Sequence, residues 1–169
     1  MKPRVLVELG ALILAGLHTA CGWAPEMDGE LRSPDRGTFP LVADALERRC
    51  STLDCHGRPE RNLRLYSGPG LRLAPGDVPG SGATTEAEYG ASFESVVGLE
   101  PEVMSLVVAE RGKAPERLTL VRKARGSESH KGGAVIVLGD ESDQCLTSWL
   151  SSSANEEACA KAREIMSPW

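Results

Sequence analysis

The chain has 169 residues, a formal net charge of −5 and only 4% aromatic residues. This length suits one domain with a leader and leaves no room for two sizeable cores. Acidic and basic residues are interspersed, as on a solvated surface, which argues against a polyanion-binding protein and against nucleic acid as a partner.

The N-terminus has the pattern of a secretory signal peptide. Lys2 and Arg4 precede an apolar run over residues 9–17, which is too short for a membrane span and has Glu8 at its edge. We therefore predict export, with residues 1–20 as the signal peptide. Removal of that segment takes away two positive charges and one negative charge, which changes the net charge from −5 to −6.

The residues before Cys21 resemble a bacterial lipobox, in which a small residue precedes the cysteine that receives the lipid. Ala20 is that small residue, while His18 stands where the family usually has Leu. The resemblance implies a lipid on Cys21 and a protein anchored on the periplasmic side of a bacterial membrane. Ordinary cleavage nearby, for example after Ala24, is the alternative.

The pattern after Cys21 predicts a tether followed by a mainly α domain. Residues 21–38 are rich in Pro, Gly and charge without apolar periodicity, which indicates a flexible tether. Residues 39–169 are predicted to form a small helical domain with long loops. The predicted helices are those over residues 40–49, around 93–97, from Pro101 to about 107, over 115–125, from Asp140 to Leu150 and from Asn155 onward.

A short leucine-rich segment is the predicted exception to the helices. Leu and Arg alternate on both sides of a Gly-Pro turn over residues 62–73, which indicates two short extended pieces with their leucines buried. Loops of this length are unusual in a small domain. Either the chain is weakly ordered in these loops, or a group other than side chains fills part of the core, as a haem would.

Two cysteines and a histidine, Cys50, Cys55 and His56, form the candidate cofactor site. Attachment of haem c needs two thiols for the porphyrin vinyl groups and a histidine directly after the second cysteine to reach the iron. Four residues separate Cys50 from Cys55, where two are usual, and Gly57 follows His56. The two cysteines cannot share a face of a regular helix, so a loop is expected between them.

This motif and the segments after it resemble the cytochrome c-like domains of planctomycete and myxobacterial envelope lipoproteins. Residues 115–124 look like the Pro-x-x-Ser-Leu-Leu-x-Arg-Ala segment of those domains. Residues 130–133 look like their His-Gly-Gly-Gly turn, with Lys131 for one Gly, and residues 145–150 look like their closing helix. The resemblance covers residues 39–153.

The resemblance implies one covalent c-type haem and a role in electron transfer or redox sensing, with a redox protein as partner. Cys50 and Cys55 are then the thioether anchors, and His56 is the proximal iron ligand. For the sixth ligand we consider His130, in its glycine-containing turn, and Met104, on an apolar helix. A histidine there favours a low potential, and a thioether raises it.

The cysteines also allow explanations without haem. Cys50 and Cys55 can bridge each other or pair with Cys145 and Cys159, closing long loops in an oxidising compartment. A zinc site made of Cys50, Cys55, His56 and a fourth ligand such as His130 is a further alternative. Cys145 and Cys159 lie on two predicted helices joined by a short turn, so we predict a disulfide that joins this helix pair.

The sequence contains no motif that indicates an enzyme. No phosphate-binding loop, Gly-x-Ser-x-Gly elbow or His-Glu-x-x-His pattern occurs. There are three histidines, one of them in the predicted signal peptide, which leaves little for acid–base catalysis. The second functional hypothesis is therefore a disulfide-linked binding or structural lipoprotein without haem.

Overall fold

The structure, a computed structural model, describes residues 29–165 and confirms the mainly α fold class. Within these residues there are six α-helices, and a 3-10 turn (Pro115–Arg117) precedes the fourth. The helices are α1 (Phe39–Cys50), α2 (Glu86–Val97), α3 (Pro101–Ala109), α4 (Thr119–Ala124), α5 (Glu141–Leu150) and α6 (Glu156–Glu164). The predicted signal peptide and Cys21, the predicted lipidation site, lie outside the described residues.

None of the helices within residues 29–165 has the length and apolar composition that a membrane crossing requires.

The helices begin where the sequence offers capping groups. The side chain of Thr85 accepts a hydrogen bond from the Glu88 amide, and the Glu88 carboxylate accepts one from the Thr85 amide, which makes a capping box at the start of α2. Asp140 caps α5, and Asn155 caps α6. The predicted starts of these last two helices are confirmed.

The core is built around three aromatic rings. Phe39 of α1, Phe93 of α2 and Trp149 of α5 lie with ring centroids 5.2–6.2 Å apart. The indole N–H of Trp149 donates to the backbone carbonyl of Asp35 at 2.8 Å. The last part of the predicted tether therefore contacts the core at this point.

The leucine-rich segment runs from the end of α1 to the face of α2. Leu63 and Leu65 are buried, as the alternation predicts. For the second piece the prediction is wrong: Leu73 is 42% exposed, and the Arg72 side chain is buried instead because it pairs with Glu88. The Arg64 amide donates to Ser95 Oγ, and the Tyr66 amide donates to Ser92 Oγ, which fixes the segment on α2. Its extended backbone thus obtains hydrogen bonds from serine side chains rather than from a sheet.

A disulfide joins α5 to α6. Cys145 and Cys159 are bonded, with 14 residues of sequence separation, and both are buried. This confirms the predicted pairing.

Removal of this disulfide should lower the free energy of unfolding by about 3 kcal/mol, because a closed loop of this length restricts the unfolded chain by about that amount. The test is chemical denaturation of the double variant Cys145→Ala/Cys159→Ala beside the wild-type protein. Wild-type protein in a strong reductant serves as the control and should lose a similar amount. Equal stability of oxidised wild type and variant would contradict the prediction.

Candidate functional site

The three motif residues, Cys50, Cys55 and His56, lie at the C-terminus of α1 and in the turn that follows it. Cys50 is the last residue of the helix, and a tight turn follows over residues 51–57. The His56 amide donates to the Cys50 carbonyl at 2.9 Å, and the Cys55 amide donates to the Thr52 carbonyl at 2.9 Å. The loop expected between the two cysteines is therefore present, and it turns the chain back onto the end of α1.

Gly57 allows this turn to close. A Cβ at residue 57 would lie 2.0 Å from the carbonyl oxygen of Ser51 and 2.9 Å from that of Thr52. Both neighbours are backbone atoms, so neither can rotate away.

Gly57→Ala should therefore destabilise the protein by about 1–3 kcal/mol, the usual cost of forcing extra volume into a packed site. Thermal denaturation measures the loss. Gly76→Ala is the matched control in the following loop, because a Cβ at residue 76 meets no atom within 4 Å. A Gly57→Ala protein as stable as Gly76→Ala would show that the turn is built differently.

The turn forms one wall of a cavity of about 450 Å³. This volume lies within the roughly 300–1,000 Å³ range of sites that hold small molecules and cofactors. Its lining combines apolar side chains with polar and charged ones. The apolar lining consists of Leu46, Leu63, Leu65, Leu99, Leu120, Ala124 and Val135, and the other lining residues are Cys50, His56, Glu60, Arg61, Asn62, Glu100, Thr119, Lys123 and His130.

His56 is fixed in the cavity wall by a backbone hydrogen bond. Its Nδ1 lies 3.0 Å from the carbonyl oxygen of Leu63, and its own carbonyl accepts from the Leu65 amide. Because the carbonyl can only accept, Nδ1 carries the proton and Nε2 keeps its lone pair. Metal-binding histidines are commonly held in this way, with the second nitrogen donating to a carbonyl.

His130 reaches the same cavity from the loop between α4 and α5. Its Nδ1 is buried and has no hydrogen-bond partner in the structure. Gly132 lies against the ring, since a Cβ there would be 3.0 Å from His130 Nε2, and Gly133 has a positive φ of 63°. The loop thus brings an imidazole with an unused nitrogen to the cavity.

Both imidazoles favour the neutral form. Burial lowers the pKa of His56; the Leu63 carbonyl opposes this, while His130, Arg61 and Lys123 lower the pKa further. Burial also lowers the pKa of His130, with a further decrease from Lys123. A neutral imidazole is the form that binds a metal ion.

Cys50 and Cys55 are both free thiols. The alternative pairings of these cysteines with each other or with Cys145 and Cys159 are therefore wrong. Cys50 is buried and lines the cavity, and burial raises the pKa of its thiol to about 12. Cys55 is half-buried and lines a neighbouring groove instead, together with Arg49, Thr52, Asp54, Lys131, Gly132 and Gly133.

The structure does not support the other two metal arrangements considered. Within the described residues no group of three or more His, Cys, Asp or Glu side chains is placed to hold a metal ion, so the four-ligand zinc site is not assembled. Met104, on α3, is buried and lines a separate groove together with Phe93 and Val97, and it does not line the cavity with His56.

Sequence reasoning missed the polar residues that line the cavity. Arg61, which follows the turn, belongs to no motif, and Lys123 lies in the 115–124 segment without a role assigned to it. The two are far apart in the sequence, so only the fold brings them together. Glu100 lines the same cavity, and its carboxylate accepts from the amide and hydroxyl of Thr119 at 2.6 and 2.9 Å. Thr119 lies near the Ser position of the family segment that residues 115–124 resemble. This was the one feature of the sequence that pointed to this part of the cavity.

Comparison of the chain with protein-family models, with curated proteins and with solved structures finds no match.

Proposed function

We propose that the protein is an exported, lipid-anchored envelope protein that carries one covalent c-type haem and serves in electron transfer or redox sensing. The observation that carries the proposal is the apolar cavity lined by a free thiol and two neutral imidazoles. The signal peptide and the lipobox-like residues before Cys21 support the location. A redox protein of the same compartment is the expected partner.

The residues around the cavity suit the group. Leu46, Leu63 and Leu120 would contact the apolar faces of a porphyrin, and His56 has Nε2 available for the iron. His130 supplies the second imidazole, with a nitrogen that lacks any other partner. When bound, haem supplies one-electron chemistry, and two histidine ligands favour a low potential.

The two cysteines differ in how well they suit attachment. Cys50 lies in the cavity wall, whereas Cys55 lines the groove on the other side of the turn. The position of Cys55 favours the second candidate function, a binding lipoprotein that uses the same cavity without covalent haem. The two candidates therefore differ in whether the sulfurs of Cys50 and Cys55 are bonded to a porphyrin or remain free thiols.

The test is export of the protein in a host with haem c maturation machinery, followed by denaturation, acid–acetone extraction and a reduced visible spectrum. The haem proposal predicts an α-band that survives extraction in the wild type and is absent from Cys50→Ala/Cys55→Ala. The matched control is Cys145→Ala/Cys159→Ala, which removes the structural disulfide and should keep the band. Loss of all colour from the wild type on extraction would leave the binding lipoprotein.

A further inference from the structure

The cavity has apolar walls and a small number of charged residues in its lining. Four charged residues line it: Glu60, Arg61, Glu100 and Lys123. The two carboxylates are engaged elsewhere in part, since Glu100 accepts from Thr119 and Glu60 accepts from Arg58 at 3.2 Å. Arg61 and Lys123 are therefore the charged residues of the lining that could bind an anionic group of a ligand.

Arg61 keeps donors available at the cavity. Its Nε donates to the Cys55 carbonyl at 3.1 Å, and one terminal nitrogen donates to the Asp54 carbonyl at 3.5 Å. Within residues 29–165 it forms no ion pair with a carboxylate. A guanidinium has five N–H donors, so these contacts leave capacity for a bidentate carboxylate.

Lys123 brings the second positive charge from α4. Its Nζ lies 3.4 Å from Glu128, but the same carboxylate is held more closely by Arg122 at 2.7 Å. Lys123 thus lines the same cavity as Arg61 and shares the Glu128 carboxylate with Arg122.

We propose that Arg61 and Lys123 form a carboxylate-binding rim, so that the cavity takes a flat apolar molecule that carries acidic side groups. This inference rests on the proposed function, in which the molecule is haem and the acidic groups are its two propionates. An apolar cavity with polar anchors at its edge is the general form of a cofactor site. Arg61 and Lys123 would bind the acidic groups at one edge of the ligand, while His56 and His130 would contact its centre.

The rim can be tested without iron or covalent attachment. Full-length protein made in a host without haem c maturation is titrated with metal-free protoporphyrin IX and with its dimethyl ester, and binding is followed by fluorescence. The two ligands share the macrocycle and differ in the two carboxylates. We expect the wild type to bind the diacid more tightly than the ester, with a preference that decreases as salt is added.

Variants identify the residues of the rim. Arg61→Gln and Lys123→Gln should each weaken binding of the diacid by about five- to tenfold, between the values for an exposed ion pair and a buried charge-assisted hydrogen bond. Binding of the ester should not change. Lys161→Gln is the matched control, because Lys161 is an exposed lysine on α6 that pairs only with Glu157.

The proposal is overturned if the wild type binds acid and ester equally or binds neither, or if both variants bind the diacid like the wild type. These outcomes are distinguishable from failure of the proposed function. A protein that carries no covalent haem after maturation, yet prefers the diacid through Arg61 and Lys123, retains the rim. A haem-loaded protein with no such preference lacks it.

Discussion

Glu88→Gln should lower the free energy of unfolding by about 3–5 kcal/mol, the cost of removing one partner from a buried ion pair. Glu88 is 1% exposed, and its carboxylate lies 2.7 Å from Nε of Arg72, whose side chain is 5% exposed. The same carboxylate accepts from the amides of Leu73 and Thr85. Its loss would leave the buried Arg72 guanidinium with the more exposed Asp77, 3.4 Å from its Nη2, as its remaining ion-pair partner within residues 29–165. It would also release the loop that precedes α2.

Chemical denaturation measures this loss of stability, and a second glutamate on α2, Glu94, provides the control. Glu94→Gln is the same substitution on the same helix, in an ion pair with Arg36 whose side chains are both 64% exposed. Exposed pairs contribute about 0–1 kcal/mol, so this variant should be close to the wild type. Similar losses in the two variants would show that the Glu88 pair is not the element that holds the loop.

The same carboxylate makes stability depend on pH. Burial alone would raise the pKa of Glu88, but hydrogen bonds from Arg72, Thr85 and Leu73 outweigh it and lower the pKa from 4.5 to about 2. A lowered folded-state pKa means that the contribution is complete above pH 4.5 and is lost as the pH falls toward 2. Melting temperatures of the wild type should therefore fall across this window more steeply than those of Glu88→Gln.

Under the proposed function, His56→Ala should change the visible spectrum of the haem-loaded protein, because it removes an imidazole that would hold the iron. The ring of His56 is positioned by the Leu63 carbonyl, 3.0 Å from its Nδ1. His130→Ala should leave the covalent band, and His130→Met should raise the reduction potential, since a thioether favours the reduced iron. Visible spectra and redox titrations of the loaded proteins measure these changes.

Met104 provides the control for this series. It is buried and lines a groove separate from the cavity, so Met104→Leu should leave spectrum and potential unchanged and cost less than about 1.5 kcal/mol. A spectrum altered by Met104→Leu and unaffected by His130→Ala would reverse the assignment of the sixth ligand.

The sequence predicts the helices well because their signals are local. Asp140 and Asn155 are capping residues directly before periodic segments, and Pro101 stands at the first position of α3. The disulfide was also predictable, since a short turn between two helices brings Cys145 and Cys159 together. These features depend on residues that are neighbours in the chain.

The cavity depends on contacts that are distant in sequence, so only part of it was predictable. The motif identified Cys50 and His56, and the glycine-containing turn identified His130. No local pattern shows that Cys55 lines the neighbouring groove, or that Lys123 lines the cavity together with the two histidines. Met104 has the same apolar neighbours that a ligand helix would have, and tertiary packing alone places it elsewhere.

Intact mass of the exported wild-type protein under denaturing conditions, with thiol alkylation, tests the central claim most directly. The proposal predicts the mature chain with its lipid plus one haem, with neither Cys50 nor Cys55 alkylated before or after reduction. A mass without haem, increased by the alkyl groups on Cys50 and Cys55, would contradict it and leave a protein whose cavity binds its ligand without covalent attachment.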